Sequence, residues 1–153
     1  MATRKKTTRR AAPRRTGARR PQRQQPESLR LRSLAVSLTV NDLERSIAWY
    51  RDMLGFTPGE RWEDAGRVRG IQMKAGSCDI MLNQDDFAKG RDRRKGDGFR
   101  VWVETVQDIN AIAARVKSRG WPLDREPSNT PWGDWAFALT DPDGFKLTFI
   151  QAE

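Results

Sequence analysis

The stretch SLAVSLTVNDLERSIAWYRDMLGF (Ser33–Phe56) decides the fold, because its apolar period changes once and then stops. Leu34, Val36, Leu38 and Val40 alternate with Ser33, Ala35, Ser37 and Thr39, a period of two that predicts a strand with one bulky and one small face. Asn41, with Glu44 three residues on, reads as a helix N-cap, and Leu43, Ile47, Tyr50 and Leu54 then recur at helical spacing. Gly55 ends that helix, predicted over residues 42–54. Three short strands are predicted next, at Phe56–Asp64, Val68–Ala75 and Ser77–Asn83, with Gly70 and Gly76 as punctuation. The order is βαβββ.

A charged loop (Gln84–Gly98) follows, and then the same order returns. Arg100–Thr105 is strand-like; Ile109, Ile112, Ala113 and Val116 form a helical stripe; Gly120 closes it. Further strands are predicted at Trp121–Arg125, Trp135–Thr140 and Phe145–Gln151, the last two joined by the Asp-Pro-Asp-Gly turn Asp141–Gly144. The junctions correspond as well: Val40-Asn41-Asp42-Leu43 matches Val106-Gln107-Asp108-Ile109, and Gly55 matches Gly120. The predicted class is α+β, two tandem βαβββ modules at about 33–84 and 98–152 within a domain of residues 33–153.

Composition narrows the chemistry. The chain has 153 residues, 29 Lys and Arg against 20 Asp and Glu, and no histidine. Without histidine there is no Ser-His-Asp or Cys-His nucleophile pair, no imidazole base near neutral pH and no His-ligated metal. The single Cys78 makes neither an internal disulfide nor a Cys-rich zinc site, so a reducing, cytoplasmic setting is expected. No apolar run is long enough for a membrane helix, and no apolar segment of signal-peptide type follows the basic start. What remains is carboxylate chemistry, a non-catalytic binding site or an interaction protein, and no membrane partner is expected.

The net charge of +9 belongs to one end. Residues 1–32 carry 12 Lys and Arg against Glu27 alone, whereas residues 33–153 carry 17 basic and 19 acidic side chains. The first large aliphatic residue after Met1 is Leu29, so this tail is expected to be disordered. Its basic residues (Arg4, Lys5, Lys6, Arg9, Arg10, Arg14, Arg15, Arg19 and Arg20) suit sequence-independent attraction to phosphate polyanions. A solubilising arm is the alternative. The loop Asp85–Asp97, with Arg91, Arg93, Arg94 and Lys95 among acids, reads as a solvated linker.

The tandem βαβββ repeat and two of its motifs resemble the vicinal oxygen chelate superfamily, which holds glyoxalases, extradiol dioxygenases and bleomycin-resistance proteins. VNDLERSIAWYRDMLGF (Val40–Phe56) looks like its first helix signature, and PWGDWAFALTDPDGFKLTFIQ (Pro131–Gln151) resembles the closing hairpin of the bleomycin-resistance branch. The resemblance implies two modules whose sheets form a concave, barrel-like cup around a ligand, usually in a homodimer. In metal-dependent members, His and Glu ligands stand on the first and last strands of each module. The matching positions here are Ala35, Met81, Arg100 and Thr148, none of which is a credible ligand for a divalent metal. The resemblance therefore implies no cofactor, neither glyoxalase isomerisation nor extradiol ring cleavage, and a metal-free site that sequesters an aromatic or cationic compound.

Strand parity nominates its lining. Ser37, Asp79, Met81 and Asn83 face the cup from the first module; Arg100, Trp102, Glu104, Ala138 and Thr148 face it from the second. Trp102 either stacks on a planar ligand or fills the cavity; Glu104, with Asp79, either receives a cationic group or, in the case of Glu104, pairs with Arg100. Trp62 and Trp132 are candidates for the rim, while Trp49 and Tyr50 are assigned to helix packing. Two alternatives remain: an interaction protein docking on nucleic acid through its tail, and a lyase- or dioxygenase-like enzyme using Glu104 or Asp79 as a base.

Overall fold

A computed structural model describes residues 33–152. The tail 1–32, and with it the nucleic-acid reading of its basic residues, lies outside the described residues.

Each predicted module is present. The first runs β1 (Val36–Val40), α1 (Leu43–Trp49), β2 (Thr57–Asp64), β3 (Arg67–Ala75) and β4 (Cys78–Gln84). The second runs β5 (Arg100–Thr105), α2 (Ile109–Ser118), β6 (Arg125–Asn129), β7 (Trp135–Thr140) and β8 (Lys146–Gln151). Each closes its own four-stranded mixed sheet, in the order β1-β4-β3-β2 and β5-β8-β7-β6. In both, the first strand runs parallel to the last and the others are antiparallel. Among the described residues no helix is long and apolar enough to cross a membrane.

The bulky strand faces and the helix stripes meet in a single core. Leu38, Val40, Ile71, Ile80 and Leu82 join Leu43, Ile47 and Tyr50 from the first module, while Phe137, Leu139, Leu147 and Phe149 join Ile109, Ile112 and Ala113 from the second. Burial of these side chains is the main favourable term for the fold. Phe137 and Phe149 stack with centroids 4.9 Å apart, and Trp49 meets Trp121 edge-on at 5.4 Å.

The repeat extends to the hydrogen bonds that seat the helices. Gln84 closes β4 and its Oε1 accepts from the Leu43 amide at 3.0 Å; Gln151 closes β8 and its Oε1 accepts from the Ile109 amide at 3.1 Å. Each glutamine thus satisfies an amide that a helix start leaves without an intrahelical partner. Gly55 and Gly120 sit at φ +83° and +80°, the left-handed conformation that glycine adopts without a Cβ penalty.

Several expectations need correction. Leu34 precedes β1 and is 85% exposed, so it does not join the core face. The cap of α1 is Asp42, whose carboxylate accepts from the Arg45 amide at 3.0 Å, not Asn41 with Glu44. Asn41 is instead occupied elsewhere: its amide donates to Asp143 Oδ1 at 2.7 Å. The regular helix stops at Trp49, and residues Tyr50–Leu54 form a π-helical turn. The strand predicted at Trp121–Arg125 lies later, at Arg125–Asn129. Trp121 is drawn inward, packing on Trp49 and donating from Nε1 to the Thr140 carbonyl at 2.9 Å. Phe99, just before β5, is exposed and touches Phe145 edge-on.

The charged loop is more than a solvated linker. The side chains of Asp85 and Lys95 are 6% and 3% exposed and form an ion pair, with Arg93 Nη2 donating to the same Asp85 oxygen at 3.1 Å. The Phe87 amide donates to the other oxygen at 2.8 Å. The Lys95 ammonium, followed by the Phe87 N–H, lowers the Asp85 pKa to about 2. A carboxyl with a depressed folded-state pKa contributes stability above its unfolded value of about 3.9, and loses it as pH falls. Unfolding of the wild type is therefore expected to become easier between about pH 4 and pH 2, with a smaller slope in Asp85→Asn; equal slopes in urea titrations over that window would contradict this role.

Candidate functional site

The second faces of the two sheets carry the candidate site. In module one the register sets Ser37 beside Met81, and Met81 beside Gln72. Asn83 Nδ2 donates to Ser37 Oγ at 2.7 Å, so both polar groups lie on this face, opposite buried Leu38 and Leu82. Asp79 accepts from Gln72 Nε2 at 2.8 Å, which engages part of the carboxylate on its own sheet.

In module two, Trp102 pairs with Thr148, Thr148 with Ala138, and Glu104 with Ile150. Arg100 Nη1 donates to Thr148 Oγ1 at 2.9 Å. Thr148 and Ala138 are buried, so two of the residues expected to line the cup are covered. Arg100 is bonded to Thr148, and the Arg100–Glu104 pair weighed from the sequence is not among the ion pairs of the described residues. Trp102 and Glu104 are exposed on the same strand face.

Trp102 has a neighbour that strand parity did not supply. Its indole stacks on Trp132, with centroids 5.8 Å apart and planes 24° from parallel. Both rings are largely open to solvent, at 52% and 61% exposure. Trp132 stands on a tight turn in which the Gly133 amide donates to the Thr130 carbonyl at 3.0 Å and Gly133 has φ +104°. Its Nε1 donates to Asp134 Oδ2 at 2.8 Å, which orients the ring. The sequence offers Trp132 only as a rim candidate; the folded turn lays it on Trp102. Trp62, the other rim candidate, lies instead over Gly70 on the neighbouring strand, where a Cβ would collide with its ring. Trp49 and Tyr50 are buried in the core, as their helix assignment requires.

The metal test is one of side-chain chemistry. At the four positions that the resemblance implies for ligands stand Ala35, Met81, Arg100 and Thr148. A thioether and a hydroxyl are weak ligands, an alanine is none, and a guanidinium bonded to the neighbouring threonine repels a cation. Among the described residues no three His, Cys, Asp or Glu side chains come together to hold a metal. The residues present do not fit one.

Comparison with known proteins supplies the family. A model described as the Glyoxalase/Bleomycin resistance protein/Dioxygenase superfamily matches residues 32–149. Lactoylglutathione lyase of Haemophilus influenzae is 27% identical over 128 residues, covering 79% of this chain and 93% of that protein. Lactoylglutathione lyase GLX1 of Arabidopsis thaliana is also 27% identical over 128 residues, but this chain spans only 44% of its length. Among solved structures, the antibiotic-binding protein TnmS3 of a Streptomyces species is 26% identical with a TM-score of 0.60, covering 78% of this chain and 93% of its own. TioX of a Micromonospora species has a TM-score of 0.64 at 20% identity, covering 77% and 96%, a likeness of fold alone.

Proposed function

Since this chain belongs to the glyoxalase/bleomycin resistance protein/dioxygenase superfamily, we propose that it binds a planar aromatic, cationic small molecule without a metal and without turning it over. The observation that carries the reading is the open Trp102–Trp132 stack on the face that also presents Glu104. Two exposed indoles offer a large, rigid contact area at small entropic cost, and a π-face also attracts cations. Glu104 beside them supplies a negative charge that selects a cationic ligand over a neutral one. TnmS3, an antibiotic-binding protein, is a structural relative consistent with such a role.

Lactoylglutathione lyase chemistry is not proposed, despite the shared identity, because Arg100 and Thr148 are bonded to each other where ligands would have to stand. A homodimer in the cytoplasm is proposed as the working state. In support, β1 and β5 each pair on one side only, and an open strand edge is a template for a second chain. The basic tail is proposed as a separate phosphate-attracting arm, independent of the pocket.

Tryptophan fluorescence with ethidium as the probe tests the binding reading. Saturable quenching is expected, weakened about tenfold in Trp102→Ala, the loss of about 1.4 kcal/mol of stacking. Added Ni²⁺ or Zn²⁺ is expected to leave the titration unchanged. Quenching that is equal in wild type and Trp102→Ala, or that requires a metal, would overturn the proposal.

A further inference from the structure

Beyond the aromatic platform, the first module holds a cavity whose chemistry differs from it. Its volume is about 360 Å³, in the range of small-ligand pockets. Thr39 and Asn83, register partners near the end of the β1–β4 ladder, line it together with Gln84, Ala88 and the charged loop residues Asp85, Asp86, Lys89 and Arg93. Asn83 is also the residue that bonds Ser37, so the cavity continues the small polar face of the first sheet.

The charges on that wall are unequally engaged. Asp85 receives Lys95 and Arg93 on one oxygen and the Phe87 amide on the other, so its acceptor capacity is directed into its own loop. Asp86 Oδ1 accepts from the Ala88 amide at 2.9 Å, which turns it likewise toward the loop backbone. Arg93 spends one guanidinium nitrogen on Asp85 and remains 38% exposed at the cavity wall. Lys89 is exposed there too. With Lys95 counted against Asp85, the cluster carries one net positive charge, and the Thr39 hydroxyl and the Asn83 amide line the same cavity.

We propose that this cavity binds an oxyanion group, a carboxylate or phosphate, through Lys89 and Arg93, with Thr39 and Asn83 bonding its remaining oxygens. A guanidinium presents donors in a fork that matches such groups, and a lysine adds a compact charge. The inference goes beyond the proposed binding of a cationic aromatic compound: it assigns a separate anion site, lined by residues of the first module and the linker and by none of Trp102, Trp132 or Glu104. It also gives the inter-module loop a role in recognition.

Amide chemical shifts of the full-length protein, titrated with inorganic phosphate and with acetate, test it. Saturable shifts are expected at Thr39, Asn83, Ala88 and Lys89, resolved by residue from any effect on the basic tail. Saturation by phosphate identifies a phosphoryl group and saturation by acetate a carboxylate. Lys89→Glu, an exposed change that leaves the Asp85 cluster intact, is expected to weaken the saturating anion at least tenfold, and Arg93→Gln to do the same. Trp102→Ala is expected to leave these shifts unchanged, so loss of the aromatic reading and loss of the anion site are separate results. Absence of saturation by either anion at these residues, or saturation indifferent to Lys89→Glu, would overturn the proposal.

Discussion

Gly96→Ala is expected to destabilise the protein by about 2–4 kcal/mol, the sum of a left-handed backbone penalty and an overpacking cost. Gly96 has φ +74°, where an L-residue is strained. A Cβ built there would also lie 2.7 Å from the Gly144 carbonyl carbon and 2.9 Å from Phe145 Cα, both backbone atoms that cannot rotate aside. Gly144, in turn, has φ +100° and approaches the Lys95 carbonyl, so the linker and the Asp141–Gly144 turn meet glycine against glycine. Gly98→Ala provides the control. Its φ is +71° with nothing within 4 Å of a built Cβ, so it should show the conformational term alone, about 1 kcal/mol. Equal midpoint shifts for the two variants in urea unfolding would show that the close approach contributes nothing.

The second large effect is expected at the turn itself. Asp141 is buried, and its Oδ1 accepts from the amides of Asp143 at 2.9 Å and Phe145 at 2.8 Å while Oδ2 accepts from the Tyr50 hydroxyl at 3.0 Å. Next to it, Asp143 accepts from the Asn41 amide and from Ser46 Oγ at 3.2 Å, so the turn of the second module is fastened to the helix of the first. Asp141→Ala leaves two amides and a buried hydroxyl without their acceptor and is expected to cost about 3 kcal/mol or more. Asp141→Asn keeps the Oδ1 acceptor and should cost about 1 kcal/mol. A denaturation midpoint for Asp141→Ala no lower than for Asp141→Asn would refute this account.

Burial also moves these two groups in one direction. Desolvation, followed by the nearby Asp141 charge, holds the Tyr50 phenol well above its usual range. Desolvation raises Asp141 as well, against the pull of its backbone donors. A carboxyl with a raised folded-state pKa favours folding at low pH and loses that contribution as pH rises through the folded value. Asp141 therefore opposes the acid-side loss produced by Asp85, and the sharper acid sensitivity should appear when Asp141, not Asp85, is neutralised by substitution.

Regular elements were legible where one period dominated the residues. β5 and β7 lie at the residues that alternation marks, and α2 follows the stripe Ile109, Ile112, Ala113 and Val116. β6 was misplaced because Arg125-Glu126-Pro127-Ser128-Asn129 has none of the β-branched alternation that marks a strand. Edge position explains it: β6 pairs with β7 alone, with a register shift between Arg125 and Ser128, so a proline without an N–H is tolerated there. The apolar Trp121 and Leu123 looked more strand-like, yet they pack against the core from an irregular segment. The N-cap was missed by one residue because both Asn41 and Asp42 are good caps, and the Asp143 carboxylate that engages Asn41 is 102 positions away.

The sequence by itself determined the two-module α+β order and the faces that carry small and bulky side chains. Those properties follow from residue type and local period, which need no distant partner. Only the tertiary structure decided that Trp132 lies on Trp102, that Lys95 is buried against Asp85, and that Arg100 covers Thr148. Each of these is a contact across loops or strands, set by where the backbone of the second module or of the linker folds back on itself, and no spacing along the chain encodes it.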